Sequence, residues 1–249
     1  MTRLAVFSDV HGNTDALAAV LQDLRGFSPD LVLNLGDVFS GPLDPAGTMA
    51  LLADVTALTA RGNHDRWLLD PLRCQLGWEA LTRPQLDDRA LGWLASLPGL
   101  LQVQDILACH GTPDSDTTYW MEEVSPTGEV QRADSLRLAA PAAGRDAQLF
   151  LCGHTHLPRV TALPDGRLVV NPGSVGLPGY QDDAPFPHRV CSGTPQASYM
   201  ILDRRGQEWS VTHRLVAYDA TRMIALARAA GASVWEEALA TGWVPNPPA

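Results

Sequence analysis

Short apolar runs that stop at polar turns recur along the chain, and stretches with apolar residues three and four apart separate them. Leu4-Ala5-Val6-Phe7 fits a buried parallel strand and ends at Ser8-Asp9-Val10-His11-Gly12-Asn13. A helix follows, with Thr14 or Asp15 as its cap, Leu17, Val20, Leu21 and Leu24 on one face, and Gly26 as its stop. The pattern repeats with the strand Leu31-Val32-Leu33-Asn34-Leu35, which runs into Gly36-Asp37, and with a helix through Met49, Leu51 and Leu52. A third run, Val55-Thr56-Ala57-Leu58, leads to Arg61-Gly62-Asn63-His64-Asp65. Strand, polar loop and helix make a βα unit, which places functional loops at the carboxyl ends of strands.

From Arg66 to Pro98 the spacing predicts helix, with Trp67, Leu68, Leu72, Leu76, Leu86, Leu91, Trp93 and Leu94 as packing residues. Tryptophans here read as core, although aromatic residues over a site can stack on a base. Ile106-Leu107-Ala108-Cys109 is another strand and ends in His110-Gly111-Thr112-Pro113. The polar stretch from Asp114 to Arg145 contains Tyr119 and Trp120 and a predicted helix near Glu129–Leu138, and is a place for substrate choice. Leu149-Phe150-Leu151-Cys152 leads into Gly153-His154-Thr155-His156. Val160–Leu163 and Leu168–Val170, around Asp165-Gly166, read as a hairpin closed by Asn171-Pro172-Gly173-Ser174-Val175. After a loop to about Pro195, two strands, Ser198–Asp203 and Trp209–Val216, and two helices, Ala220–Ala230 and Val234–Leu239, complete the pattern.

Composition narrows the choices. With 249 residues and 45% hydrophobic content, a single α/β domain over residues 1–244 is the simplest reading, with a disordered tail at 245–249. A net charge of -10 argues against a protein that grips long nucleic acids, which needs clustered cations. All 18 basic residues are arginine, so guanidinium forks remain available for phosphate oxygens. No apolar run reaches the roughly 18 residues of a membrane span, and no leader pattern precedes the first strand. A soluble cytoplasmic protein is expected, with no membrane partner; nothing in the sequence fixes an oligomeric state. Cys74, Cys109, Cys152 and Cys191 are scattered without the spacing of a disulfide framework or thiolate zinc site.

Of the 7 histidines, His11, His64, His110, His154 and His156 fall at predicted strand ends, together with Asp9, Asp37 and Asn63. One such histidine would be an ordinary hydrogen-bonded residue; this many together point to a metal site. In extended backbone the i, i+2 spacing of Asp9 and His11 points both side chains the same way. His188 and His213 read as structural.

The blocks Asp9-Val10-His11, Gly36-Asp37, Gly62-Asn63-His64-Asp65, His110 and Gly153-His154-Thr155-His156 resemble, in order, those of the calcineurin-like metallophosphoesterases. Asn171-Pro172-Gly173-Ser174 resembles a segment of the small bacterial branch, which often has another residue at the position of His64. The resemblance implies a four-layer α/β/β/α sandwich, an α/β fold with two packed mixed sheets flanked by helices. It puts Asp9, His11, Asp37 and His156 on one metal and Asp37, Asn63, His110 and His154 on the other, with Asp37 bridging. Two divalent transition-metal ions are implied, manganese first and iron, zinc or nickel as alternatives, since the donors are nitrogen and oxygen without thiolate.

The activity so implied is hydrolysis of a small phosphomonoester or phosphodiester by in-line attack of a metal-bridging hydroxide. Two dications held by two carboxylates and a hydroxide leave a net positive site, which suits an anionic substrate inside an acidic protein. His64, adjacent to a ligand but not itself one, is the proton donor to the leaving oxygen, and Asp65 either orients it or starts a helix. Phosphoprotein phosphatase and dinucleoside polyphosphate hydrolase are alternatives within this chemistry. A binding scaffold with incidental metals is the rival outside it, and a nuclease is disfavoured by the charge.

Overall fold

The computed structural model describes residues 2–246. Regular structure begins with β1 (Thr2–Phe7), α1 (Thr14–Arg25), β2 (Leu31–Asn34), α2 (Pro45–Leu52) and β3 (Ala57–Thr59). Next come α3 (Asn63–Leu69), α4 (Gly77–Thr82) and α5 (Asp88–Ser96), separated by single 3-10 turns at Arg73–Gln75 and Arg83–Gln85. β4 (Leu100–Val103), β5 (Ile106–Cys109), β6 (Glu122–Val124), β7 (Val130–Arg132), α6 (Ser135–Ala139) and β8 (Leu149–Leu151) follow. The rest is β9 (Arg159–Ala162), β10 (Leu168–Asn171), β11 (Gly179–Asp182), β12 (His188–Cys191), β13 (Ala197–Arg205), β14 (Glu208–Val216), α7 (Thr221–Ala229) and α8 (Ser233–Thr241).

Ten strands make two mixed sheets, in the orders β14-β13-β1-β2-β3 and β4-β5-β8-β10-β9. Strands β1, β2 and β3 run parallel in the first, and β5, β8 and β10 in the second. The side-chain period of two decides what each face covers. Leu4 and Val6 of β1 and Leu33 of β2 join Ile106, Ala108, Leu149 and Leu151 in one apolar layer between the sheets. Ala5 and Phe7, pointing the other way, pack with Leu17, Val20, Leu21 and Leu24 of α1. Leu107, Cys109 and Phe150 face outward from the second sheet against Trp120, Met121 and Leu138. Both faces of the central strands are therefore buried, which is why their sequences are unbroken apolar runs.

The expected sandwich is thus present, with a thin outer layer on the second sheet. Where a helix was expected over Glu129–Leu138, Val130–Arg132 pairs with Glu122–Val124 as a hairpin, and only then does Asp134 cap the short α6 through the Leu136 and Arg137 amides. The helical stretch expected from Arg66 to Pro98 is broken twice. Asp70 accepts from the Leu72 and Arg73 amides and turns the chain at Pro71, and Asp87 starts a new helix by accepting from Ala90. Consequently Leu68, Leu86 and Leu94 are buried, whereas Leu72 and Leu76 are 78% and 59% exposed.

Smaller corrections follow the same logic. Asn13, not Thr14 or Asp15, caps α1, accepting from the Ala16 amide at 3.0 Å. The third strand starts at Ala57, not Val55. β4 and the β11–β12 hairpin were not expected; the latter lies within a Gly- and Pro-rich stretch that lacks strand alternation. Pro245 and Asn246 carry no regular structure, and the remainder of the expected tail, 247–249, lies outside the described residues. Among the described residues no helix is long and apolar enough to cross a membrane.

These placements have unequal energetic weight. Leu33→Ala, in the layer between the sheets, is expected to cost about 2–5 kcal/mol in urea unfolding, and Leu72→Ala less than about 0.5 kcal/mol. Comparable losses would show that the 66–98 segment packs as a continuous core helix after all.

Candidate metal centre

The carboxyl ends of β1, β2, β3, β5 and β8 converge where the two sheets abut, and each delivers polar residues to one place. Beyond the strands the loops zip together: the Asp9 amide donates to Gly36 O, the His11 amide to Asp37 O and the Gly153 amide to His110 O. The convergence of Asp9 with His11, and of His154 with His156, does not come from extended backbone. All four, and Asp37, have positive φ, between 51° and 69°. Such backbone costs an L-residue on the order of 1 kcal/mol, with Asp and His among the more tolerant types, and it turns these short loops inward.

Two clusters result. Ligand atoms of Asp9, His11 and His156 lie within 4.8 Å of one another, and so do those of Asp37, His110 and His154. Asp37 Oδ2 reaches toward both, 3.1 Å from His110 Nε2 and 3.9 Å from His11 Nε2. His110 Nε2 is also 3.8 Å from Asp9 Oδ1, so the clusters are contiguous. Asn63, at the start of α3, is buried with its Oδ1 unpartnered. His64 belongs to neither cluster.

The hydrogen bonding inside the site lacks donors. Nδ1 of His11 faces Ser40 O at 2.8 Å, Nδ1 of His156 faces Leu177 O at 2.6 Å, and Nδ1 of His110 faces Leu35 O at 2.8 Å. A carbonyl can only accept, so each Nδ1 carries the hydrogen, and a neutral ring presents a lone pair at Nε2. His11 Nε2 and His156 Nε2 then confront each other at 3.3 Å, lone pair to lone pair, while both residues are buried. Asp9 Oδ1 and Asn63 Oδ1 are likewise buried acceptors without a partner. Unpaired acceptors of this kind cost several kcal/mol unless a cation joins them, and they match a divalent-metal site in donor type and orientation.

Protonation reflects the same frustration. Burial raises the Asp9 carboxyl, but His156 and His110 outweigh it and hold the group at about 2. Burial lowers His110, yet Asp37 and Asp9 push it up to about 10, so a proton stands where the carboxylates call for positive charge. Burial dominates for His11 and His154 and takes them down to about 4 and about 3, leaving both as neutral donors.

His64 sits at the rim, its side chain 25% exposed, with its amide donating to Asp37 Oδ1 at 2.9 Å. Its Nδ1 is 2.5 Å from Oε1 of Glu79, which also accepts from Ser40 Oγ at 2.7 Å. Burial lowers His64, but Asp37 and Glu79 more than offset this and raise it. Asp65 does not orient this ring. Its carboxylate accepts from the amides of Asp37, Gly62 and Val38, closing the first turn of α3 and pinning the loop that carries Asp37. The residue that holds His64 is therefore Glu79 of α4, which no motif in the sequence signals.

Other supports were partly visible. Asn171 donates to Gly153 O and Thr155 Oγ1, and Ser174 Oγ to Asp9 O, so the Asn171–Ser174 turn braces both ligand loops. The edges of Tyr119 and Tyr180 contact the rings of His154 and His156, and Tyr119 Oη links Tyr180 Oη to His188 Nε2 at 3.0 Å. His188 and His213 are hydrogen-bonded structural residues, the latter through Ser198 Oγ. Burial pushes the Cys109 and Cys152 thiols up, away from a ligand role. A Cβ at Gly62 would collide with Asp37 Oδ1, and one at Gly153 with Ser8 Oγ, which explains both glycines beside the ligands.

Asp37→Asn tests the shared carboxylate, because the amide keeps the shape and loses the charge. Dialysed against manganese and measured by plasma mass spectrometry, the wild-type chain is expected to retain two ions and the variant at most one. Two ions in the variant would remove Asp37 from the bridging position.

Comparison with known proteins agrees with this fold. The model of the calcineurin-like phosphoesterase superfamily domain matches residues 2–205. A crystal structure of a metallophosphoesterase from Sphaerobacter thermophilus superposes with a TM-score of 0.76 at 27% identity, over 97% of this chain and 99% of that one. A hypothetical protein from Pyrococcus horikoshii OT3 shares the fold with a TM-score of 0.73 at 18% identity, over 98% and 100% of the two chains. An uncharacterized protein of Methanocaldococcus jannaschii is 25% identical over 81% of this chain and 83% of its own length. Since the family match takes in nine of the ten strands of the two sheets and every loop that carries a candidate ligand, the chain belongs to the calcineurin-like phosphoesterase superfamily.

Proposed function

We propose that the protein is a dinuclear metal-dependent phosphoesterase that hydrolyses a small phosphomonoester or phosphodiester. The observation that carries this reading is the largely buried meeting of Asp9, His11 and His156 with Asp37, His110 and His154 at the strand ends, where Asp9 Oδ1 and the nearby Asn63 Oδ1 have no hydrogen-bond partner. Asp9, His11, Asp37 and His156 would hold one cation and Asp37, Asn63, His110 and His154 the other. When bound, the pair supplies positive charge to the phosphoryl oxygens and acidifies the attacking water. Nitrogen and oxygen donors without thiolate favour manganese, with iron, zinc or nickel as alternatives.

The chain's own residues supply the remainder. His64 Nε2 donates a proton to the departing alkoxide, a task for which general acids contribute about 10²–10⁴-fold. Glu79 fixes the ring and its tautomer by taking the Nδ1 hydrogen, and Ser40 fixes Glu79. Backbone carbonyls of Ser40, Leu35 and Leu177 hold the ligand imidazoles in the tautomer that presents Nε2. A pure binding scaffold would have no use for the His64–Glu79 pair, which supports the enzymatic reading.

Metal stripping followed by separate restoration with manganese, nickel, zinc or magnesium, assayed on a generic monoester and a generic diester, is the direct test. Turnover restored by at least one transition metal is expected; none above the chelator control would favour a scaffold. His64→Ala is expected to retain its metals and to lose about 10²–10⁴-fold on alkyl esters but much less on aryl esters with good leaving groups. Equal loss on both would count against an acid at this position. Glu79→Gln should reproduce the same selectivity with a smaller loss, about tenfold, and an unchanged metal content; a loss that ignores the leaving group would detach Glu79 from His64.

A further inference from the structure

Two tryptophans of the 66–98 segment lie near the candidate centre, Trp67 against His64 and Trp78 one ring away from His11 through Trp235. Trp67, half-buried, places its ring 4.7 Å from that of His64, edge to face. Trp78, also half-buried and adjacent to Glu79 in sequence, packs against Trp235, which in turn contacts His11. Leu72 and Leu76, between the two indoles in sequence, are among the most exposed large apolar side chains described. Apolar side chains left open on the segment that carries Trp67 and Glu79 suit a binding wall, since leaving them in water has no packing return.

This wall also carries a cation. The Arg73 guanidinium lies 5.0 Å from the centre of the Trp67 ring. Its neighbour Arg66 is committed to Asp116 through two hydrogen bonds of 2.7 and 2.8 Å, whereas among the described residues no carboxylate pairs with the Arg73 guanidinium. Asp70, the nearest acid in sequence, spends its Oδ1 on the Leu72 and Arg73 amides. An acyl chain would cover the leucines but leave the guanidinium unserved, and a bare sugar would cover neither. The Trp67 ring already has the Arg73 guanidinium over it, with Arg66 6.0 Å from the same ring centre, so a flat heteroaromatic ring suits the exposed outer face of the indole-backed Arg73 guanidinium, a planar cation on which bases stack.

We propose that Trp67 and Arg73 form a subsite for the base of a nucleotide substrate, on the leaving-group side of the metal centre. The inference rests on the phosphoesterase reading, which makes His64 the donor to the leaving group and so puts its neighbour Trp67 on that side. Trp67 is a specificity residue here and takes no part in proton transfer.

Adenosine 5′-monophosphate and ribose 5-phosphate differ only in the base, so each is titrated as a competitor of generic-ester hydrolysis by the manganese-loaded protein. The nucleotide is expected to inhibit at least about tenfold more tightly. Trp67→Ala should bring the two inhibition constants close together by weakening the nucleotide alone. Arg73→Ala, at an exposed position that does not threaten folding, should weaken the nucleotide about threefold or more and leave ribose 5-phosphate unchanged. Equal inhibition in the wild type, a preference that survives both substitutions, or tighter inhibition by a long-chain alkyl phosphate overturns the subsite. If no generic ester is hydrolysed, the phosphoesterase reading fails separately, and calorimetric binding of the same two ligands decides the base site by the same ratio.

Discussion

Everything at the functional end of this molecule follows from burying acceptors without donors. Asp9 and Asp37 are held inside the protein with three imidazoles whose hydrogens are turned away by backbone carbonyls. Lone pairs confront lone pairs, as between His11 and His156, and His110 is driven toward its charged form because nothing else neutralises the carboxylates. Such a cluster is unfavourable by itself. It persists because two buried sheets hold the strand ends rigidly, and because five ligand residues sit in left-handed backbone that the flanking hydrogen bonds over-determine. The apolar layer between the sheets and the polar frustration at their edge are therefore one design: the first supplies the stability that the second consumes.

Much of this was legible in the chain. Unbroken apolar runs ending in Asp, Asn or His report central parallel strands and the ligands they deliver, because burial on both faces and placement at a carboxyl end are each written in consecutive residues. Thus Asp9, His11 and His156 lie in one cluster and Asp37, His110 and His154 in a second beside it, with Asn63 buried at the start of α3. What the pattern could not carry was conformation inside the loops: i, i+2 spacing suggested extended backbone for Asp9 and His11, and the actual convergence uses positive φ at both. Contacts between distant elements were equally hidden. Glu79 meets His64 across 15 positions, through a helix with no chemical signature, while the adjacent Asp65 serves the backbone.

The segment after α3 illustrates how local chemistry overrides periodicity. Apolar spacing argues for one long helical stretch, but Asp70, Pro71, Gly77 and Asp87 impose turns and new starts that the spacing does not see. The breaks leave Leu72 and Leu76 in water and let α4 bring Glu79 to His64, whose ring Trp67 of α3 also touches. Sequence that would have been a core helix instead supplies the hydrogen-bond partner of His64 and an exposed apolar edge.

The central claim is that the buried acceptors exist to hold two cations sharing Asp37. Crystals grown with manganese and measured at its absorption edge address it most directly through the anomalous difference map. Two peaks about 3.5–4 Å apart are predicted, flanking Asp37, one beside His11 and His156 and the other beside His110, His154 and Asn63. A single peak, or peaks only at surface carboxylates with His11 and His156 still facing each other across an empty gap, would contradict it.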